Sequence, residues 1–179
     1  MTTLVVPQIH DTKTLFFKPV QVSDAEFILS LRTDEKYNKF LSPVTKLLYD
    51  QEDWIMTHKD MDEYYFIIHR KSDGKAIGTV RIYNFIGDSF EWGSWILTDD
   101  KPRYAALECA IAVYDFGFSK LGYTRCHMHI MKDHKHVLTF HRRMGVLIDG
   151  EENGMFLGYY DAKDYFTDRQ RLLDIASAE

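Results

Sequence analysis

Cysteine and proline are both scarce in this chain of 179 residues, which has two of the first and four of the second. The two cysteines do not have the spacing of a metal pair. Cys109 falls in an apolar helical run and Cys126 in an alternating, strand-like one, so both read as reduced core thiols and not as a disulfide or a nucleophile. Runs of Lys or Arg are missing too: 27 acidic residues face 22 basic ones, for a net charge of −5. Nothing in that pattern neutralises a phosphate backbone, which argues against nucleic acid as a partner. No window approaches the ~20 apolar residues that span a bilayer. The segment MTTLVVPQIHDT lacks the basic start and apolar stretch of a secretory signal, so the expectation is a cytoplasmic protein with no membrane partner. HExxH, CxxC and GxSxG motifs, a Walker loop and a dinucleotide glycine fingerprint are absent as well.

What the chain does contain is the material of a packed globule, 45% hydrophobic and 27% charged, rich in aromatic residues. The length suits one domain over residues 1–179, able to bury roughly 70% of its unfolded surface. LFFKPV reads as a first strand. Ser23, with Glu26 three residues on, forms a capping-box signal for a helix DAEFILSLRT. NKFLSPV stalls at Pro43, and a further helical stretch covers about residues 50–61. YYFIIHR and AIGTVRIYNF form a hairpin around Asp73 and Gly74. SFEWGSWIL is a strand, AALECAIAVYDFGF a helix, residues 124–131 a strand, and residues 135–144 a helix stopped by Gly145. The segment GMFLGYYDAKDYF is strand-like, and RQRLLDIASAE reads as a terminal helix at the edge. The result is one α/β domain.

Two features suggest chemistry. The strand SFEWGSWIL carries one carboxylate, Glu91, among residues that favour burial, and a charge there needs a partner or a task. The partner could be Arg81 or Lys132 across the sheet. Beyond the strand, the loop DDKPRY leads into a helix whose Ala105, Ala106, Cys109, Ala110 and Ala112 permit close approach. Such an N-terminus presents unpaired N–H groups and a positive dipole end to a phosphate. The alternative for this loop is an ordinary turn with solvated basic residues. His127, His129, His134, His136 and His141 crowd one region. A zinc site there would need three or four convergent ligands, and the spacing does not provide them.

Together these segments resemble the acetyl-coenzyme A core of the GNAT N-acetyltransferases. Lys101, Pro102, Arg103, Tyr104, Ala105 and Ala106 match the family's Q/RxxGxG/A loop, with Tyr104 in place of a glycine. DHKHVLTFHRRMG resembles its NxxAxxLYxxxG segment, with His134 at the Asn, His141 at the Tyr and Gly145 retained. The resemblance implies an α/β (α+β) fold with a mixed, mostly antiparallel central sheet, splayed central strands and helices on both faces. It implies acetyl-CoA as cosubstrate and no metal. Its pantetheine arm would lie on backbone groups near Ile96, Leu97 and Thr98, and its diphosphate on Lys101, Arg103, Tyr104, Ala105 and Ala106, with His134 nearby. Glu91 would be the general base, with room for the amine over Gly93. His141 would be the acid for the departing thiolate, acting as an imidazolium of pKa ~6.5; otherwise it is a surface residue capping helix carbonyls.

Tyr37, Asn38, Phe40, His127 and His129 are the candidates for contact with the acceptor. LRTDEKYNKFLSPV, FEWGSWIL and FHRRMG together look like members that acetylate nucleotide-linked amino sugars in surface-polysaccharide assembly. The small-molecule amine would be attacked directly, by a monomer or a homodimer. Two other readings remain: acetylation of ribosomal-protein N-termini, and a non-catalytic domain that binds coenzyme A.

Overall fold

The computed structural model describes residues 7–58 and 63–178. Seven strands form one sheet in the order β1-β2-β3-β4-β5-β7-β6: β1 (Leu15–Pro19), β2 (Tyr64–Arg70), β3 (Ala76–Ile86), β4 (Ser89–Leu97), β5 (Arg125–Met131), β6 (Leu147–Glu152) and β7 (Met155–Asp161). All neighbours are antiparallel except β4 and β5. On one face lie α4 (Ala105–Asp115) and α6 (Ala162–Ser177), on the other α1 (Ala25–Thr33) and α3 (Leu48–His58). A one-turn α2 (Glu35–Asn38) links the latter two, and α5 (Lys135–Met144) follows β5. The mixed sheet with helices on both faces is the expected architecture.

Each face has a sequence cause. Phe90, Trp92, Cys126, Met128 and Ile130 alternate toward α4, whose Ala105, Cys109 and Ala110 are fully buried and allow the helix to lie close. Gly117, in the π turn that extends α4, sits where a Cβ would fall 2.2 Å from the Phe90 ring. Ala25, Ile28 and Ile55 pack on Ile67 across the other face. Glu108, buried on α4, accepts from the Thr14 N–H at 2.8 Å, the Thr14 hydroxyl at 2.9 Å and the Thr12 hydroxyl, tying the segment before β1 to the helix.

Several boundaries differ from expectation. The Ser23–Glu26 box does not form: a 3₁₀ turn spans Val22–Asp24, and the Asp24 carboxylate accepts from the Gln21 N–H at 2.8 Å. The helix before β2 runs Leu48–His58, and residues 59–61 of the expected span lie outside the described residues. AKDYF is not strand: β7 ends at Asp161 and α6 begins at Ala162, with Tyr165 fully buried. The π turn and the outer strand β6 carried no distinct signal.

Gly78 fixes the approach of β4, because a Cβ there would lie 2.0 Å from the Ile96 carbonyl oxygen. A backbone atom cannot rotate away, so Gly78→Ala must push β3 and β4 apart. Urea titration is expected to show a loss of at least about 2 kcal/mol.

Candidate active site

Strands β4 and β5 pair only at Ser89 with Arg125 and Phe90 with Cys126, after which they part. Five further residues of β5 pair with β7 on one side and leave their other edge to the gap. On β4, Ser94 and Trp95 together oppose a single residue of β3, since Arg81 faces Gly93 and Thr79 faces Ile96. This is a bulge, with Ser94 at φ +45 and its carbonyl held by the Thr79 hydroxyl at 2.8 Å. The bend steers the end of β4 away from β5.

Glu91 is seated just beyond the last paired residues. Its Oε1 accepts from the His129 backbone N–H at 3.2 Å and lies 3.0 Å from His129 Nδ1. Its Oε2 accepts from Asn84 Nδ2 at 2.8 Å. The carboxylate thus bonds the facing strand where a sheet ladder would have continued. Neither expected counterion reaches it, since Arg81 pairs with Glu63 and Lys132 with Glu151. A carboxylate only accepts, so His129 Nδ1 carries the proton and Nε2 presents a lone pair. Asn84 Nδ2 is also 3.3 Å from His127 Nε2, which makes that nitrogen the acceptor and directs His127 Nδ1–H to Ser89 Oγ at 2.6 Å. Burial lowers the His127 pKa against the pull of Glu91, in keeping with a neutral ring. Among the described residues no three His, Cys, Asp or Glu side chains are placed to hold a metal ion.

The space over Gly93 is not open. A Cβ there would meet the Tyr83 hydroxyl at 2.9 Å, and Tyr83 pairs across the strands with Glu91. Burial, then the Glu91 charge, raises the Tyr83 pKa.

Of the backbone groups assigned to the pantetheine arm, the Thr98 N–H is already used, donating to the Ile77 carbonyl at 2.8 Å. Alternation in the antiparallel ladder then turns Ile96 toward β3 and Leu97 toward the gap, so of the three only Leu97 offers both its groups there. The following loop runs to α4, whose N-cap is Tyr104 at φ −104, ψ 12. No positive φ is needed at that position, so tyrosine replaces glycine without backbone strain. The Ala105 N–H donates to Pro102 at 3.1 Å, while those of Ala106 and Leu107 have no partner within the helix. Arg103 lies exposed over the Tyr104 ring at 5.0 Å, and Lys101 is half-buried.

Across the mouth of the gap lies the segment after α1. Lys36 of α2 pairs with Asp99 in the loop after β4, and Phe40 stacks on His134, the N-cap of α5, with ring centroids 4.0 Å apart. Tyr37 and Asn38 belong to the same strap. The two lips of the opening are therefore bridged by residues assigned separately to acceptor and cosubstrate.

His141 is not a surface residue. It is 7% exposed, edge-on to Trp92 at 5.4 Å, and its Nδ1 is buried without a hydrogen bond. Burial, then the charge of His134, pushes its pKa down to about 4, so the ring is neutral at neutral pH and the imidazolium expected from the sequence does not form. Both cysteines are fully buried and burial raises their pKa values, which keeps thiolate out of the site.

Parted central strands, a bulge on the first of them, an open helix N-terminus and a buried acid at the fork define an acyl-coenzyme A transferase architecture. A GNAT acetyltransferase domain model matches residues 14–146, and the chain belongs to that family of N-acetyltransferases. The apo structure of FdhC, a nucleotide-linked sugar GNAT, superposes with a TM-score of 0.85 at 37% identity, covering 93% of this chain and 97% of that one. Spermidine N-acetyltransferase from Vibrio cholerae, in complex with CoA and spermine, gives a TM-score of 0.75 at 15% identity, with coverages of 87% and 99%. A dodecameric structure of the same enzyme gives 0.71 at 17%, with coverages of 86% and 97%. Both similarities to the spermidine enzyme concern the fold. No curated protein sequence matches the chain.

The buried ring of His141 sets a pH dependence. Its folded pKa of about 4 lies below the ordinary ~6.5, so between these values the unfolded chain binds the extra proton and stability falls as pH falls. Urea titrations should show His141 contributing a loss of about 2 kcal/mol from pH 7 to pH 5. In His141→Phe, which keeps an aromatic edge on Trp92, that part of the slope should vanish.

Proposed function

We propose that this chain transfers an acetyl group from acetyl-CoA to the amine of a nucleotide-linked amino sugar by direct attack, in the cytoplasm. The observation that carries the reading is the fork itself: a gap between β4 and β5, open to a thioester, with Glu91 and its histidine at the apex. The likeness to FdhC supports the choice of acceptor.

The residues present fit the cosubstrate. The edge of Leu97 offers a donor and an acceptor to an amide-bearing arm, and the unpaired N–H groups of Ala106 and Leu107 suit a diphosphate. Lys101 and Arg103 add charge beside them. Glu91 acts as base through His129: Nδ1–H stays on the carboxylate while Nε2 removes the proton as the amine attacks. The carboxylate fixes the tautomer and stabilises the imidazolium that forms. His127, held by Ser89 and Asn84, lines the same path. His141 offers a neutral N–H to the departing sulfur, which leaves as a thiolate close to its own ordinary pKa of ~8.5. With Cys109 and Cys126 buried, no thiol is placed to carry the acetyl group.

Thiol release from acetyl-CoA, followed with UDP- and dTDP-linked amino sugars, tests the reading; release with none of them sinks the choice of acceptor. Glu91→Gln is expected to lower kcat by about 10²-fold or more, with coenzyme A affinity retained. Unchanged turnover in this variant would remove the assignment of the base.

A further inference from the structure

Between α1, α3 and the bulge of β4 lies a cleft of about 460 Å³, bordered by Ser94 and floored by Arg32, Tyr65 and Arg81. Its floor is electrostatically unsatisfied. Arg32 Nε, Arg81 Nε and the Tyr65 hydroxyl are all buried without a hydrogen bond. Among the described residues no carboxylate lies within 4 Å of the Arg32 guanidinium, whose Nη2 bonds only the Ser42 carbonyl and hydroxyl, at 2.7 and 2.9 Å. Arg81 has Glu63 at 3.7 Å and otherwise packs on the rings of Tyr83 and Trp54. Two carboxylates, the half-buried Asp50 and the exposed Asp53, line the cleft without pairing to either guanidinium. Burial lowers the Arg32 pKa, the neighbouring Tyr65 hydroxyl opposes that shift, and the Arg81 charge adds to it. Two like charges held together with donors unspent are costly in an empty protein and become favourable once an anion joins them.

The position of this floor matters. Arg81 pairs across the strands with Gly93 and lies 4.3 Å from the Tyr83 ring, and Tyr83 pairs with Glu91. Arg81, Tyr83 and Glu91 therefore share one face of the sheet, with the Tyr83 ring standing between the floor of the cleft and the acid at the fork. An acceptor anchored on the arginines would extend its amine toward Glu91 and His129.

We infer that Arg32 and Arg81, with the Tyr65 hydroxyl, form the seat for the diphosphate of the acceptor and so select an anionic amine over a polycationic one. This rests on the proposed acetylation of nucleotide-linked amino sugars. Guanidinium forks match phosphate oxygens bidentately, and burial strengthens such a pair. A polyamine, whose every functional group is a cation, would meet like charge on this floor.

Calorimetric titration without acetyl-CoA tests the seat, using UDP, dTDP, inorganic pyrophosphate, glutamate and spermine as separate probes. Either nucleoside diphosphate should bind, and both Arg32→Gln and Arg81→Gln should weaken that binding roughly tenfold or more. Arg81→Lys keeps the charge and loses the fork, so it should fall between. Because each Gln variant relieves a like-charge contact, it should still unfold cooperatively, while the rise in melting temperature produced by UDP is lost. Pyrophosphate binding as tightly as UDP would still support the seat, with the base contributing nothing. Unaltered UDP affinity in the Gln variants, or a preference for glutamate or spermine over both nucleotides, would overturn it. The two readings can fail separately. Acetyl transfer to an amino sugar with no nucleotide binding removes the seat alone, and arginine-dependent UDP binding with no transfer to any acceptor removes the catalytic reading alone.

Discussion

The structure turns on how β4 and β5 separate. Strand edges left unpaired inside a sheet would expose backbone donors and acceptors without partners, a cost that a fold must offset locally. Here Glu91 does so, replacing the next ladder bond with a side-chain bond to the His129 N–H. The bulge at Ser94 and Trp95 then turns β4 outward, held by Thr79 on one side and by the missing side chain of Gly78 on the other. A carboxylate at this fork supports the opening of the sheet and the orientation of His129 at once. Its burial among an amide, a backbone N–H and an imidazole provides the partners that a buried charge requires.

The same face of the sheet carries opposite charges at its two ends. Glu91 and its histidines lie at one end, Arg32 and Arg81 at the other, and Tyr83 between them touches both. The chain is acidic overall, so the cationic floor of the cleft is a local arrangement and not a reflection of composition. The two arginines differ from the surface pairs, such as Lys75 with Asp100 at 2.5 Å, in that the Nε donor of each is buried and unspent. A surface pair contributes little because water competes for it; a buried donor left without a partner gains more from one supplied by a ligand.

What could be read from the sequence followed from periodicity and from charges out of place. The hairpin at Asp73 and Gly74, the close-packing alanines of α4 and the Gly145 cap, at φ +111, rest on local rules that tertiary packing did not override. Glu91 stood out because a carboxylate interrupted an apolar strand. The same signal was present in TVRIYNF, where Arg81 interrupts β3, but it pointed only to a partner for Glu91. Tyr83 and Asn84 carried no such mark: Tyr83 looks like an ordinary strand aromatic, and the role of Asn84 depends on a left-handed φ of +53 that strand patterning does not reveal. In AKDYF the aromatic residues extend the pattern of β7, so the sequence alone resembles a longer strand. What decided otherwise is the Tyr165 hydroxyl, which bonds Asp115 of α4 at 2.8 Å, a contact across 50 residues.

The departures from the family's motifs do not point to a degenerate domain. Tyr104 occupies its place with a backbone conformation open to any residue, and it leaves the first N–H groups of α4 unobstructed by their own helix. His141 exchanges a phenol for a ring that burial keeps neutral, so a donor is still present while a buried cation next to Trp92 is avoided. A domain that only bound coenzyme A would have no use for an acid fixed at the fork, or for a second cleft whose arginines face the same strand. Holding Glu91, His129 and the arginine pair on one sheet costs desolvation that packing alone would not require. That expense is understandable if two substrates meet there, one entering between the strands and the other lying across their face.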